Sequence, residues 1–374
     1  MKFKWTATIF AVVFSLPLFL AFAPHDNPDA YDSVANAAPA GTGNGEFETE
    51  NIFVLGHLDL DAVGAGPANV LANDCWGWTD PQNGDEYALI GLTNATAFVD
   101  ISDPTDPKFL GRLLTQTDNS SWRDIKVFND HAFIVADSAG NHGVQVFDLT
   151  QLRTADPNNP GVFSNTARYT GVTSAHNIVI NEDTGFAYVV GSNRADGGLH
   201  VINIQNPTNP VEAGNFSADG YCHDAQVVNY VGPDNDYAGR EIAICCNEDT
   251  ITVVDVTNKN NMTQISRNGY PQIGYSHQAW LTEDQRYLFH GDELDEGNFG
   301  GPTRLLVWDM LDLDNPVYLG FYSGTTNAID HNVYVRGDKV YVSNYAAGMR
   351  VLQIDPNDPL NLTEVAWVLS LIHI

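Results

Sequence analysis

Six polar pairs recur along the chain: Asn73/Asp74, Arg123/Asp124, His176/Asn177, His223/Asp224, His277/Gln278 and His331/Asn332. Their starts are spaced by 50, 53, 47, 54 and 54 residues, and each pair opens an apolar segment. Four of the six begin with histidine. Imidazole nitrogens gathered beside carboxylates suit a divalent transition metal, so His176, His223, His277 and His331 form the candidate metal set. Such a metal, with one coordination position open, could activate water. The competing reading is mechanical: a motif present in every repeat can brace the repeats by satisfying neighbouring backbone groups. The two readings are compatible. Side chains alternate along a strand, so both members of one pair are not expected to ligate the same ion.

Two further clusters could do chemistry. The loop Gly291–Asn298 carries Asp292, Glu293, Asp295 and Glu296, hard oxygen donors on a glycine-bounded segment that would suit calcium, although the spacing is not that of an EF-hand. Four cysteines occur, Cys75, Cys222, Cys245 and Cys246. Cys222 begins one apolar segment and Cys245-Cys246 end the next, so one of that pair, taken as Cys246, could bridge to Cys222; buried free thiols, a metal ligand or a nucleophile are the alternatives. No His-Glu-x-x-His, Gly-x-Ser-x-Gly or phosphate-binding loop is present. The serine beside a histidine in Ser276-His277 is adjacency only.

The elements that position these residues repeat with them. After each polar pair comes a second apolar run: Tyr87–Gly91, Ala132–Ala136, Ala187–Gly191, Ile242–Cys246, Tyr287–Gly291 and Val340–Asn344. A third run ends in a Val-x-Asp-like signature, with Asp100, Asp148, Asp255 and Asp309 placed to cap the turn that follows. Proline-rich turns such as Asp103–Pro107 and Asn206–Pro210 come next, then a short run ending in glycine, as in Leu110-Gly111 and Leu319-Gly320. Four short strands per unit, repeated six times with no helical period, predict an all-β fold, a β-propeller of four-stranded blades. Six blades are complete, and residues 51–58 read as an orphan fourth strand of a seventh, leaving a ring with exposed apolar edges. In this geometry the polar pairs converge at the mouth of the central channel. The loops between second and third strands add Asp137, Ser192, Asn193, Asn247, Glu248, Asp249, Asp292, Glu293 and Asn344 to the same rim. The recurrent tryptophans are expected to pack between blades, with carbohydrate stacking as the alternative.

The ends and the charge suggest where the protein works. Residues 1–23 read as a signal peptide, with Lys2 and Lys4 before an apolar run and Ala21-Phe22-Ala23 as a cleavage site. Residues 24–50 read as a disordered lead-in and 51–368 as the propeller, while 369–374 look like a sequencing-adapter artefact that truncates the C-terminus. Lys and Arg number 17 against 47 Asp and Glu, a formal net charge of −30, which repels nucleic acid and anionic lipid. Membrane contact is expected only through the signal segment or a missing C-terminal anchor.

The chain resembles bacterial secreted proteins with LVIVD repeats, in particular the choice-of-anchor B family. The likeness runs over about residues 51–368 and includes Trp76-Gly77-Trp78, Ser121–Lys126, Ala175–Gly185 and Asp292–Glu296. It implies a secreted or surface-tethered propeller with a variable C-terminal sorting signal and no established enzymatic activity. The expected function is a binding scaffold for an extracellular protein, glycan or cation. The alternative is a metal-dependent hydrolase or oxidase at the histidine cluster, with a divalent metal ion as its cofactor.

Overall fold

The computed structural model describes residues 47–66 and 70–370. The proposed signal peptide, most of the lead-in and the last four residues lie outside them. Within them, six sheets, each built on four antiparallel strands, follow one another in a ring, as a β-propeller, and the first and last sheets gain a fifth strand. Their innermost strands are Ala72–Thr79, Arg123–Phe128, Asn177–Asn181, Asp224–Asn229, Ser276–Leu281 and Val333–Arg336, so each sheet begins at or beside one of the polar pairs. These strands open blades 1 to 6.

The predicted second strands match to within a residue or two, for example Glu241–Cys246 and Lys339–Asn344. In the first five blades this strand is buried on both faces, which explains why it reads as a continuous apolar run, whereas Lys339–Asn344 alternates. The Val-x-Asp aspartates cap as expected: Asp100, Asp148, Asp255 and Asp309 each accept a hydrogen bond from the backbone N–H two residues on. Just before this signature the register between third and fourth strands slips in five blades, at Phe98/Val99, Val201/Ile202, Val253/Val254, Val307/Trp308 and Val351/Leu352. Such a bulge strengthens the local twist, the shape a propeller blade needs.

The core is divided among the interfaces between blades. Leu89 and Phe98 of blade 1 meet Ile134 and Phe147 of blade 2, and the same arrangement repeats to Phe289 and Val307 of blade 5 against Val340 and Leu352 of blade 6. Trp308 and Trp78 are buried in these interfaces, Trp76 and Trp280 are half-buried, and Trp122 alone among the five is exposed, at the channel mouth.

The ends depart from the sequence-based reading. Residues 51–58 form no strand. Instead Phe47–Glu50 adds a fifth strand to blade 6, antiparallel to Asp358–Ser370, with Glu50 opposite Trp367 and Phe47 opposite Ser370. Leu369 and Ser370 are therefore paired strand residues, and Phe47–Glu50 is not a disordered lead-in. Ile52 and Val54 then bury against Met349, Val351, Ala366 and Val368 of blade 6, while Leu60, Val63 and Val70 bury against blade 1. The segment from Ile52 to Ala65, with Val70, thus covers apolar surface on both sides of the seam, where bare edges were expected.

Candidate functional site at the channel mouth

The four histidines come together. Their rings form a staircase around the channel, with centroids 4.2 Å apart for His176 and His223, 4.3 Å for His223 and His277, and 4.1 Å for His277 and His331. The backbone explains how a residue next to a channel-facing side chain also reaches the channel. Register slips between Ser276 and Gln278, leaving His277 as the extra residue of a bulge, and the same slip between Ala72 and Asp74 frees Asn73. A bulge re-aims a side chain in this way. The other three histidines stand one residue before or two residues before the regular strand, free of its alternation.

Both readings of the pairs are realised, by different members. The second residue braces the next blade. Asp74 accepts from the Ile125 N–H at 2.9 Å, Asp124 from Ile178 at 2.7 Å, and Gln278 from Val333 at 2.7 Å. Asn177 donates to the His223 carbonyl at 3.1 Å. Asp224 turns to the N–H of its neighbour Ala225. Of the first members, the histidines line the mouth, and Arg123 beside them is anchored, donating to the Leu92 carbonyl and to His142 Nε2 at 3.1 Å.

The mouth is a cavity of about 320 Å³. Asn73, Asp74, Arg123, Asp124, Asn177, Asp224 and Asn332 line it with the four histidines, while Gln278 does not reach it. In five of the six pairs both members line the wall, which the departures from regular strand geometry allow.

Glu293 completes the cluster. One carboxylate oxygen is 3.6 Å from His277 Nε2 and the other 3.9 Å from His331 Nε2, and one donor atom from each of the three residues lies within 4.8 Å of the others. The Tyr345 hydroxyl donates to the same carboxylate. At the far end of the staircase, His176 Nδ1 is 3.1 Å from Asp137. Loss of solvent lowers the pKa of His277 and His223 well below the usual imidazole value, reinforced by repulsion from neighbouring imidazoles, and pulls His331 down to about 3. These rings are neutral at pH 7. His223 donates from Nδ1 to the His277 carbonyl at 3.2 Å, which leaves Nε2 as its acceptor.

With the aspartates of the pairs, the same lining holds Lys126 and Tyr334, which sequence reasoning did not single out. Lys126 pairs with Asp124. Burial would lower its pKa, but the carboxylates of Asp124 and Asp74 more than offset this and hold the ammonium charged. Desolvation raises Asp74 and brings Asp224 up to about 7. Lys126 and Tyr334 each follow the second pair member by two residues, so a period of two from Asp124 and Asn332 was the available signal.

The acidic loop does not form one calcium site. Asp292 is consumed by Tyr270, Gly274 and Tyr275, Glu293 turns into the mouth, and Asp295 and Glu296 are drawn away to Arg304. Asp292 ends the strand Tyr287–Asp292 and Asp295 and Glu296 open a short helix, Asp295–Phe299, so the four carboxylates do not meet at one point. Cys222 and Cys246 are not bridged either; none of the four cysteines forms a disulfide. Cys245 and Cys246 point to opposite faces of their strand, so Cys245 shares a core with Cys222 while Cys246 faces the next interface.

The LVIVD-repeat model matches residues 84–115 and 173–218, spanning strands of blades 1 and 3. These two stretches resemble LVIVD repeats. No curated protein matches it by sequence. Among solved structures, this propeller is similar to a candidate 6-phosphogluconolactonase from Bacteroides uniformis. The identity is 13%, the TM-score 0.57, and 79% of this chain and 85% of that one are covered. It is also similar to Raptor from Chaetomium thermophilum, at 10% identity and a TM-score of 0.50, covering 76% of this chain and 23% of that one. At these identities the likeness concerns the fold.

Proposed function

We propose that this LVIVD-repeat protein is a secreted or cell-surface propeller, of the choice-of-anchor B type, whose channel mouth binds a divalent transition metal through His277, His331 and Glu293. The observation that carries the reading is the convergence of two neutral imidazoles and one carboxylate within 4.8 Å. Donors around a tetrahedral zinc stand about 3.3 Å apart, given metal–ligand distances near 2 Å, so a modest contraction closes the site. Tyr345, held on Glu293, plays the part that outer hydrogen bonds play at metal sites, fixing the carboxylate's orientation. The apolar run at residues 1–23 and the acidic composition support export, and an extracellular protein or glycan reaching the mouth would meet the metal there.

A second reading has its own observation. Three protein donors leave positions open towards a cavity of about 320 Å³, room for water and a small substrate, so a metal-dependent hydrolase or oxidase remains the alternative to a binding scaffold.

The test is elemental analysis of the purified full chain after equilibration with zinc or manganese and removal of excess metal. One retained equivalent, lost in a His277→Ala/His331→Ala variant that keeps its circular dichroism spectrum, supports the reading. A native protein that retains no metal refutes it.

A further inference from the structure

The connection between the second and third strands of blade 5 and the entry loop of blade 6 bring three carboxylates together out of solvent: Asp295, Glu296 and Asp330. One oxygen from each lies within 4.8 Å of the others. An acidic cluster alone would be unremarkable, but Asp330 is only 1% exposed, and neither of its oxygens has a hydrogen-bond partner. Asp295 Oδ1 and Glu296 Oε2 are likewise buried without a partner. Buried carboxylate oxygens are otherwise satisfied in folded proteins, because leaving them bare forfeits their hydration. Each of these residues points an unused acceptor into one place.

The surroundings limit what can fill it. Arg304 is the cation in contact, and it is already committed to the outer sides of the cluster. It reaches Asp295 Oδ2 through Nε at 2.8 Å and Gln272 through a second nitrogen at 2.8 Å, while its backbone N–H serves Glu296 Oε1 at 3.0 Å. Three carboxylates against one guanidinium leave two negative charges, which one divalent ion neutralises. Nearby Asp292 offers nothing further, since both its oxygens are occupied. At Gly291 a Cβ would stand 2.6 Å from Asp330 Oδ2, so glycine there leaves the carboxylate its place.

We infer that Asp295, Glu296 and Asp330 form a buried site for a hard divalent cation, with calcium as the best match. All three donors are carboxylate oxygens, with no nitrogen or sulfur that would favour zinc or copper, and calcium tolerates the irregular geometry of a loop site better than magnesium does. The site joins blade 5 to blade 6. Asp295 lies two residues after Glu293, and Asp330 directly precedes His331. The ion therefore holds the two segments that deliver a carboxylate and an imidazole to the channel mouth. This coupling rests on the transition-metal reading above, whereas the calcium site does not.

The experiment is calcium titration of the full chain stripped with a chelator, followed by calorimetry, native mass spectrometry and thermal melting. One equivalent of calcium should bind, and at a hundredfold excess over Kd the melting midpoint should rise by about 5 °C. Asp330→Asn should abolish the response. In chelator this variant should melt at or above the unsubstituted protein, because the amide removes an uncompensated buried charge, and in calcium the order should reverse. The His277→Ala/His331→Ala variant should keep the full calcium response, which separates this site from the one at the mouth. A folded protein that binds no calcium, or a calcium response unchanged by Asp330→Asn, overturns the inference, the cluster then being held by shared protons.

Discussion

His142 is a buried imidazole held neutral. Its Nδ1 donates to the Gly143 carbonyl at 2.9 Å and its Nε2 accepts from Arg123. Burial, then the adjacent guanidinium, pull its pKa from 6.5 to about 4. Because the folded value is the lower one, the unfolded chain binds the proton first. The stabilisation is complete above pH 6.5 and is lost as pH falls towards 4, with about 2 kcal/mol gone by pH 5. Urea midpoints measured at pH 7 and pH 5 should therefore differ, and His142→Gln should reduce that difference. Asp124 is the other residue on which much depends, since it braces the Ile178 N–H and pairs with Lys126. Asp124→Ala should cost about 3 kcal/mol in equilibrium unfolding. Asp124→Asn should cost less, because the amide oxygen can still accept from Ile178.

At the level of strands and turns, the two recurring signatures have separate jobs. The Val-x-Asp aspartate turns the chain, and the glycine of the Leu-Gly ending sits opposite the bulge. In blade 1 Gly111 has φ +142° and pairs with Phe98, and a Cβ there would fall 2.5 Å from the Gly161 carbonyl oxygen. Gly111→Val should cost about 2–3 kcal/mol, through backbone strain and loss of the parallel contact with Gly161–Phe163. Asp309→Ala, which removes a turn cap at 2.8 Å and a partner of Arg286, should cost about 1 kcal/mol. Chemical denaturation of the two variants should preserve this order.

For the whole molecule, closure depends on the N-terminal segment. Phe47–Glu50 extends blade 6, Trp367 Nε1 donates to Glu50 at 2.9 Å, Asn51 donates to the Val365 carbonyl at 2.8 Å, and Ile52 and Val54 are buried. A chain beginning at residue 56 should be less stable by about 3–6 kcal/mol, from two aliphatic side chains at about 1.5–3 kcal/mol each. A thermal midpoint unchanged by this truncation would show that the segment is not a closing element.

The sequence by itself determined the repeat and therefore the architecture, because periodic polar pairs, buried strands and capped turns are local patterns that recur at nearly constant intervals. It also identified the four histidines that meet at one mouth, since a radial repeat gathers equivalent positions. Tertiary structure alone decided the rest. Strand alternation argued against both members of a pair holding one ion, and the bulges that free Asn73 and His277 leave no clear mark in the residues themselves. Glu293 read as a calcium ligand until the turn at 292–295 sent its neighbours elsewhere, and Asp330 gave no signal because its partners lie more than thirty residues away. The terminal strand was misplaced by several residues, because pairing with Trp367 across the whole chain length, rather than local propensity, fixed where it sits. Local patterning specifies elements through short-range energetics, whereas a site is a set of distances between distant residues, and those exist only once the blades have closed on one another.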